Sequence, residues 1–200
     1  MIDIFDHYAD RDVSDLIGEY PLAWLCARDG RAEHASLLPL LAECDAAGGL
    51  THLVGHMARR NPLFEALSAD CRALVLFNGP GAYVSPEHAQ VRNWAPTWNF
   101  AQLRIEAEIV FEPEQTDAAL DLLVTAMEAD RPAPWQPREL GERYAQMRTA
   151  IIAFRARVTA VRGRFKLGQD ESPDVLRAIL ENLPDPAMTR WMRRFNTGRI

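Results

Sequence analysis

Apolar and polar residues alternate over several stretches of the chain with the two-residue period of half-buried β-strands. The longest such stretch runs from Thr97 to Phe111 and carries apolar side chains at Leu103, Ile105 and Ile109. A strand of this length is expected to curve around a core, as strands do in barrels. The predicted strands cover residues 22–27, 32–41, 50–56, 72–77, 97–111 and 151–161.

Turn sequences that contain glycine separate the early strands. Asp29-Gly30 predicts a tight hairpin between the first two strands, because glycine adopts a positive φ at little steric cost. Asn78-Gly79-Pro80-Gly81 predicts another turn, which ends the strand over 72–77 before Tyr83-Val84 resumes an extended conformation. The residues that follow, from Ser85-Pro86 to Pro96, are predicted to form a polar loop.

Helical spacing of apolar residues, with serine or proline at the helix starts, predicts helices between and after the strands. Short helices are expected near residues 12–17 and 61–67, a helical insertion at about 113–149 and a helical C-terminal extension at about 172–200. The sequence therefore predicts an α+β protein built on a small closed antiparallel sheet of about six strands, as one domain over residues 1–200.

Composition and charge narrow the class of protein. The 200 residues carry a formal net charge of −6, which does not favour binding to nucleic acid by the molecule as a whole. No apolar run of membrane-spanning length and no signal peptide is found, so we expect a cytoplasmic protein that does not enter a membrane. The 3 cysteines are widely spaced and odd in number, which favours reduced thiols over disulfides or a metal site.

One local basic patch stands out near the C-terminus. Its members are Arg190, Arg193, Arg194 and Arg199. Positive charge at the end of an amphipathic helix complements the helix dipole, whereas the same charges could also bind phosphate. Both interpretations stay open, and no helix-turn-helix pattern supports direct binding to DNA.

Candidate chemistry is concentrated first in Gly55-His56-Met57-Ala58-Arg59-Arg60-Asn61-Pro62, where a predicted strand meets a predicted helix. The N-terminus of a helix offers backbone N–H groups and a positive dipole, and guanidinium groups bind phosphate oxygens in pairs. Arg59 and Arg60 are therefore candidate phosphate ligands, although paired arginines here could equally be solvated. His56 is either a ligand or a hydrogen-bonded structural histidine.

Aromatic and amide side chains form further candidates. Tyr83 lies in a segment rich in glycine and proline that would admit a planar ligand, and Trp98 with Asn99 stands at the start of the long strand, where such a pair could flank an isoalloxazine or haem plane. Each could instead fill a turn or a barrel end. Lys166 follows the last predicted strand. The sequence contains no zinc-ligand spacing, P-loop, GxGxxG or GxSxG motif.

Five blocks together resemble the PaiB family of FMN-binding negative transcriptional regulators over nearly the whole chain. The blocks are LLPLLAE (37–43), GHMARRNP (55–62), LVLFNGPGAYVSP (74–86), PTWNF (96–100) and RGRFKLGQD (162–170). The resemblance implies an FMN-binding split β-barrel related to pyridoxamine-phosphate oxidases. It also implies a homodimer with two flavin sites at the subunit interface.

The resemblance also suggests site residues. Arg59 and Arg60, with His56 in the same block and Ser36 on the neighbouring strand, would hold the flavin phosphate; Lys166 and Gln169 would contribute from the end of the last strand; Tyr83, Trp98 and Asn99 would shape the flavin or dimer face. Leu37-Leu38-Pro39, Gly168 and Asp170 depart from the usual family residues. These departures predict weaker FMN binding, because hydrogen-bonding groups are lost and an acid is added.

Two functions follow as hypotheses. One is a flavin-binding transcriptional regulator or sensor of the PaiB type. The alternative is an FMN-dependent oxidoreductase, or a haem-binding or haem-degrading relative, in which the cofactor carries the redox chemistry. The sequence does not decide whether the protein is an enzyme.

Overall fold

The structure is a computed structural model that describes residues 3–200. Over these residues the chain forms six β-strands and seven α-helices. The strands are β1 (Leu22–Ala27), β2 (Ala35–Cys44), β3 (Leu50–Ala58), β4 (Arg72–Val84), β5 (Thr97–Phe111) and β6 (Ile151–Lys166). The helices are α1 (Asp10–Glu19), α2 (Pro62–Ala69), α3 (Pro86–Ala89), α4 (Thr116–Glu128), α5 (Glu142–Thr149), α6 (Pro173–Asn182) and α7 (Pro186–Phe195).

The six strands close into a barrel in the order β1-β2-β3-β6-β5-β4. β1 pairs with β2 and β4, and β3 pairs with β2 and β6, all antiparallel. Because β3 and β4 are not neighbours, the chain crosses between them through α2. The predicted α+β class with a closed six-stranded antiparallel barrel is confirmed.

The described chain is organised in two compact units. The larger unit comprises Asp10–Phe77 and Arg104–Val161, and the smaller unit comprises the described residues up to Ala9 with Asn78–Leu103 and Arg162–Ile200. In the larger unit, β3 packs so closely on its neighbours that a Cβ at Gly55 would lie 2.5 Å from Leu40 Cδ2 and 2.9 Å from Phe154 Cζ. Only glycine fits at this position without movement of the core.

The smaller unit is built around stacked aromatic rings. The Phe165 ring stacks on Phe195 with 4.8 Å between centroids and on Trp191 with 6.0 Å. The buried side chain of Asn196 donates to the carbonyl groups of Leu167 and Met192, at 2.9 and 2.8 Å. These contacts hold α7 against the loop that follows β6.

The predicted turn at Asn78-Gly79-Pro80-Gly81 is wrong, because β4 continues through it to Val84. Neither glycine has a φ in the left-handed region, so both are extended. The burial pattern instead changes phase here: positions 73, 75 and 77 are buried before the segment and 80, 82 and 84 after it. The buried side of β4 therefore changes within this segment while the strand continues.

Three smaller expectations also need correction. A 3-10 turn at Ala32–His34 follows Gly30, so β2 begins only at Ala35. The polar loop predicted after Ser85 starts with α3, which Ser85 caps by accepting a hydrogen bond from the Glu87 N–H at 3.0 Å. β6 extends five residues beyond the predicted end and includes Lys166 as its last residue.

Over the described residues, none of the helices has the length and apolar character that crossing a membrane requires.

Candidate functional site

The junction between β3 and α2 is a tight turn in the larger unit. β3 ends at Ala58, whose carbonyl accepts a hydrogen bond from the Asn61 N–H at 2.9 Å. Asn61 then caps α2, because its Oδ1 accepts from the Leu63 N–H at 3.0 Å and Pro62 occupies the first helical position. The junction thus presents the N-terminal end of a helix directly after two arginines.

Ser36 supports this helix cap from β2. Its hydroxyl oxygen lies 3.0 Å from Nδ2 and 3.2 Å from Oδ1 of Asn61. Asn61 belongs to this candidate site, and the sequence prediction did not include it, although an asparagine before a helix-starting proline is a recognisable signal for an N-cap. The structure therefore brings Ser36 and the β3–α2 junction together, as predicted from the family resemblance.

Arg59 and Arg60 are both exposed in this turn. Within residues 3–200, neither guanidinium group has a hydrogen bond or an ion pair, whereas Arg72, Arg148 and Arg157, for example, each bind a carboxylate. The backbone of Arg59 is fixed, since its N–H donates to the Ala150 carbonyl at 2.9 Å. Two uncommitted cations on a fixed backbone are a suitable donor set for an anion.

His56 lies on β3, three residues before Arg59, and is paired with Ala153 of β6. Its Nδ1 is buried and has no hydrogen-bond partner within the described chain. Burial lowers the pKa of the His56 imidazole below its usual value of 6.5. At neutral pH the ring is therefore uncharged, and its unsatisfied nitrogen is a polar group for which a ligand could supply the missing partner.

The remaining predicted residues lie in the smaller unit. Trp98 and Tyr83 form an exposed edge-to-face pair with 5.9 Å between ring centroids and an interplanar angle of 61°. Their exposed rings are available to a planar ligand or to another protein surface.

Asn99, Lys166 and Gln169 are engaged within the smaller unit. The buried Asn99 amide donates to Met192 Sδ at 3.6 Å, and the Lys166 ammonium donates to Thr97 Oγ1. Gln169 closes the loop after β6: its Oε1 accepts from the Leu167 N–H at 2.7 Å and its Nε2 donates to the Phe165 carbonyl at 2.6 Å. The side chains of Asn99 and Gln169 therefore already take part in hydrogen bonds that stabilise the smaller unit.

Gly168, one of the departures from the family pattern, lies in the same loop with φ at +87°. A Cβ at this position would lie 3.0 Å from Leu176 Cδ1 and 3.2 Å from Met192 Cε. The left-handed backbone and the close packing both favour glycine here. In this chain the loop therefore favours glycine at position 168, where relatives are expected to carry a side chain.

A phosphate group fits the donor set of the β3–α2 junction. Two guanidinium groups supply charge and directed hydrogen bonds at the positive end of a helix dipole. The first N–H groups of α2 are already used, because Pro62 has none and those of Leu63 and Phe64 donate to Asn61. The orphaned His56 nitrogen adds one more polar group on the preceding strand. In the described residues, by contrast, no group of histidine, cysteine and acidic side chains is arranged to hold a metal ion.

Curated proteins of similar sequence match part of this chain. The protease synthase and sporulation protein PAI 2 of Bacillus subtilis (strain 168) is 25% identical to this chain over 134 residues, covering 66% of this chain and 64% of that relative. This chain spans less than two-thirds of the length of the first curated relatives it matches, at 64% of each.

Solved structures show the same fold at low sequence identity. The flavocytochrome Anf3 from Azotobacter vinelandii superposes with a TM-score of 0.58 at 14% identity, covering 90% of this chain and 75% of that chain. The FAD and heme binding protein from Mycobacterium smegmatis superposes with a TM-score of 0.57 at 18% identity, covering 86% of this chain and 78% of that chain.

A family model covers most of the chain. The model described as "Putative FMN-binding domain" matches residues 3–160, which include β1 to β5, the β3–α2 junction and most of β6. Together with the Bacillus relative, this match shows that the chain belongs to the PaiB-type family of FMN-binding domains.

Proposed function

We propose that this protein binds FMN, with the flavin phosphate at the β3–α2 junction, and that it acts as a flavin-dependent sensor or transcriptional regulator. The observation that carries the proposal is the pair of uncommitted guanidinium groups of Arg59 and Arg60 directly before the Asn61-capped start of α2. The regulatory role is supported by membership of the PaiB-type family.

Each residue at the junction has a distinct part in this proposal. Arg59 and Arg60 bind the phosphate oxygens, and the N-terminal end of α2 contributes the positive end of its helix dipole. Asn61 and Ser36 hold the start of the helix in place. The neutral imidazole of His56 donates or accepts one hydrogen bond at the ligand. When bound, FMN supplies an isoalloxazine ring that accepts electrons as hydride or singly.

The residues predicted in the smaller unit have two kinds of proposed role. Tyr83 and Trp98 present exposed rings for stacking, and Lys166 presents a cation at the end of β6. Asn99 and Gln169 support these positions through their contacts within the unit. This division assigns direct flavin contact to the exposed rings and to the Lys166 ammonium, which also donates to Thr97 Oγ1, and a supporting role to the two amides.

A titration with FMN tests the flavin proposal. We expect saturable quenching of flavin fluorescence with one flavin per chain, and weaker binding of riboflavin, which lacks the phosphate. Binding of riboflavin and FMN with equal affinity would place the phosphate away from the arginines. Absence of saturable binding by either flavin would contradict the proposal.

A homodimer is the second part of the proposal. On the outer side of the larger unit, Trp24 of β1 lies opposite Leu37 of β2 and Leu76 of β4, and Leu22 follows two residues away on the same side. Leu22, Trp24 and Leu37 are exposed to 51, 44 and 45%. A contiguous apolar sheet surface of this kind is rare on monomers and suits a two-fold interface.

Sedimentation analysis of Trp24→Lys tests the dimer. The wild type should sediment as a dimer, and the variant should shift towards monomer because a charge at the centre of the surface would be buried without a partner. Trp135→Lys, at another exposed tryptophan, is the matched control and should leave the mass unchanged. A monomeric wild type, or a dimeric Trp24→Lys protein, would contradict this interface.

An FMN-dependent oxidoreductase is the second candidate function. It is favoured by His56, whose uncharged and unpartnered imidazole could transfer a proton during flavin chemistry. The fold similarity to a flavocytochrome and to an FAD and heme binding protein extends this candidate to haem. Steady consumption of NAD(P)H by the FMN-loaded protein would support the oxidoreductase, and a Soret band on addition of haem would support the haem relative. Stable flavin binding without turnover would favour the sensor.

A further inference from the structure

A small cavity lies between α4 and the strands beneath it in the larger unit, with a volume of about 240 Å³. This volume is below the range of about 300–1,000 Å³ that is usual for drug-sized ligands, so the cavity suits a small molecule. Much of its lining is apolar and comes from α4, β3 and β6. These apolar residues include Val54, Ala118, Ala119, Leu122 and Ala153.

Packing fixes the floor of this cavity and leaves one side open. Val54, Ala119 and Ala153 form one buried apolar cluster, which joins α4 to β3 and β6. By contrast, Ala118 and Leu122 are exposed residues of α4, and Leu122 has 44% of its surface accessible. A small molecule can therefore enter past these two side chains and rest on a packed apolar floor.

Polar side chains of the same cavity lack hydrogen bonds that they could make. Arg155 Nε is buried without an acceptor, a property that it shares in residues 3–200 with His56 Nδ1 alone. Glu112 Oε2 lies 4.0 Å from Arg155 Nε, which is too far for a hydrogen bond. Within the described residues the Glu112 carboxylate accepts no hydrogen bond, and the Gln115 side chain makes none. Because an unpaired buried donor is unfavourable, its presence beside a cavity points to a ligand.

The charges around the cavity are only partly balanced by the protein itself. Arg155 Nη2 donates to Glu43 Oε1 at 3.0 Å, and the other nitrogens of this guanidinium have no acceptor in the described chain. Two carboxylates and one guanidinium line the cavity, so the excess negative charge belongs to Glu112. The three side chains are 28–40% exposed, so water screens their charges less than at a free surface.

These groups discriminate between kinds of small molecule. An anion without an amine is repelled by the excess charge at Glu112. An amine without a carboxylate neutralises Glu112 but leaves Arg155 Nε without an acceptor. A molecule that carries an ammonium and a carboxylate close together satisfies both groups at once, and an aliphatic remainder suits the apolar side of α4.

We propose that this cavity binds a small aliphatic α-amino acid, whose ammonium pairs with Glu112 and whose carboxylate accepts hydrogen bonds from Arg155. The aliphatic side chain of the ligand lies against Ala118 and Leu122. None of the residues that line this cavity belongs to the β3–α2 junction. The inference is therefore independent of flavin binding, and it gives the protein a second ligand to which it can respond.

Calorimetric titration of the full chain with L-alanine, L-valine and L-leucine tests the inference. We expect saturable binding of at least one of them, with one site per chain. Two analogues of L-leucine separate the contributions of its charged groups: 3-methylbutylamine lacks the carboxylate, and 4-methylpentanoate lacks the amine. Each analogue should bind at least about tenfold more weakly than L-leucine, because one of the two charged contacts is lost.

Two substitutions locate the site. Glu112→Gln removes the charge that pairs with the ammonium, and Ala118→Phe fills the open side of the cavity. Each should weaken amino-acid binding by about tenfold or more and leave FMN binding unchanged. The matched controls are Glu114→Gln and Ala126→Phe, at exposed residues that do not line the cavity. Both controls should bind the amino acid like the wild type.

Three results would overturn the inference. The first is that none of the three amino acids binds saturably. The second is that either analogue binds as tightly as L-leucine, since the cavity would then not recognise both charged groups. The third is that Glu112→Gln and Ala118→Phe bind the amino acid as well as their controls do. The proposal of FMN binding would stand in each case, because it is measured separately with the flavin.

Discussion

Two regions that the family resemblance assigns to the flavin differ in how their polar groups are used. At the β3–α2 junction, the guanidinium groups of Arg59 and Arg60 have no partner within the described chain, and the His56 Nδ1 is buried without one. In the smaller unit, the amides of Gln169, in the loop after β6, and of Asn99, on β5, are already hydrogen-bonded. The first region leaves polar side-chain groups without a partner in the described chain, whereas the second uses its amides in hydrogen bonds that stabilise its own conformation.

This difference separates two reasons why a residue belongs to a family motif. A residue may touch the ligand, or it may fix the backbone that presents other residues to it. Both kinds look alike in a sequence, because each is a polar residue in a recognisable block. Hydrogen-bond partners in the structure distinguish them, and three variant proteins test the distinction.

The largest effect is expected at the junction. Arg59→Gln combined with Arg60→Gln should raise the dissociation constant of FMN by about a hundredfold or more, because hydrogen bonds to charged groups contribute about 1.5–3 kcal/mol each. Isothermal calorimetry or fluorescence titration measures the change. Riboflavin binding should be unaffected, since riboflavin has no phosphate.

Arg177→Gln serves as the control for charge removal, because Arg177 is exposed on α6 and already paired with Asp174. It should leave FMN binding unchanged. If the double variant loses riboflavin and FMN binding in equal measure, the arginines do not act on the phosphate. The interpretation of the β3–α2 junction as the region that binds the phosphate would then be wrong.

An intermediate effect is expected in the loop after β6, where a substitution should lower the stability of the fold and leave the affinity for FMN nearly unchanged. Gln169→Ala removes partners from the Leu167 N–H and the Phe165 carbonyl, which should lower the free energy of unfolding by about 1–3 kcal/mol. Denaturant unfolding measures this loss. FMN affinity of the folded variant should change by less than about threefold.

Gln102→Ala, at an exposed glutamine of β5, is the control and should alter neither property. The opposite result for Gln169→Ala, an unchanged stability with a large loss of FMN affinity, would mean that Gln169 contacts the flavin directly. Both regions would then contact the flavin directly through their side chains.

The smallest effect concerns the pH dependence of stability at His56. Because burial lowers the pKa of His56 in the folded state, the unfolded chain takes up the proton more readily as the pH falls below about 6.5. Stability from this group is therefore complete above that pH and is lost on acidification. His56→Leu should reduce the loss, so the difference in unfolding free energy between variant and wild type should grow in favour of the variant from pH 8 to pH 5.5. Parallel pH profiles would contradict an imidazole that is buried uncharged.

Local sequence patterns predicted the elements where local and tertiary preferences agree. The alternation over Thr97–Phe111 gave β5 with both of its ends, and Asn61-Pro62 gave the start of α2. The turn expected at Asn78-Gly79-Pro80-Gly81 failed because its residues favour turns locally, whereas barrel closure requires β4 to continue beside β5. No short window of sequence contains the information about that partner strand.

The candidate site divides in the same way. The arginine pair at a helix start can be recognised from composition and spacing alone. The contact between Ser36 and Asn61 joins residues 25 positions apart, and the missing partner of His56 Nδ1 is a property of its surroundings. These features depend on the folded arrangement, so sequence reasoning could not supply them.

The change of the buried side within β4 limits how many residues this part of the chain can gain or lose. In an ordinary strand, insertion or deletion of a single codon reverses the direction of every later side chain, and selection removes it. In β4 the buried side already changes between Phe77 and Pro80, from odd-numbered to even-numbered positions. Loss of Gly79 would move the side chains of Ala82 and Val84, which are now buried, to the other side of the strand and expose them. Relatives that fold in the same way should therefore keep the residue number of this segment constant even where its composition changes.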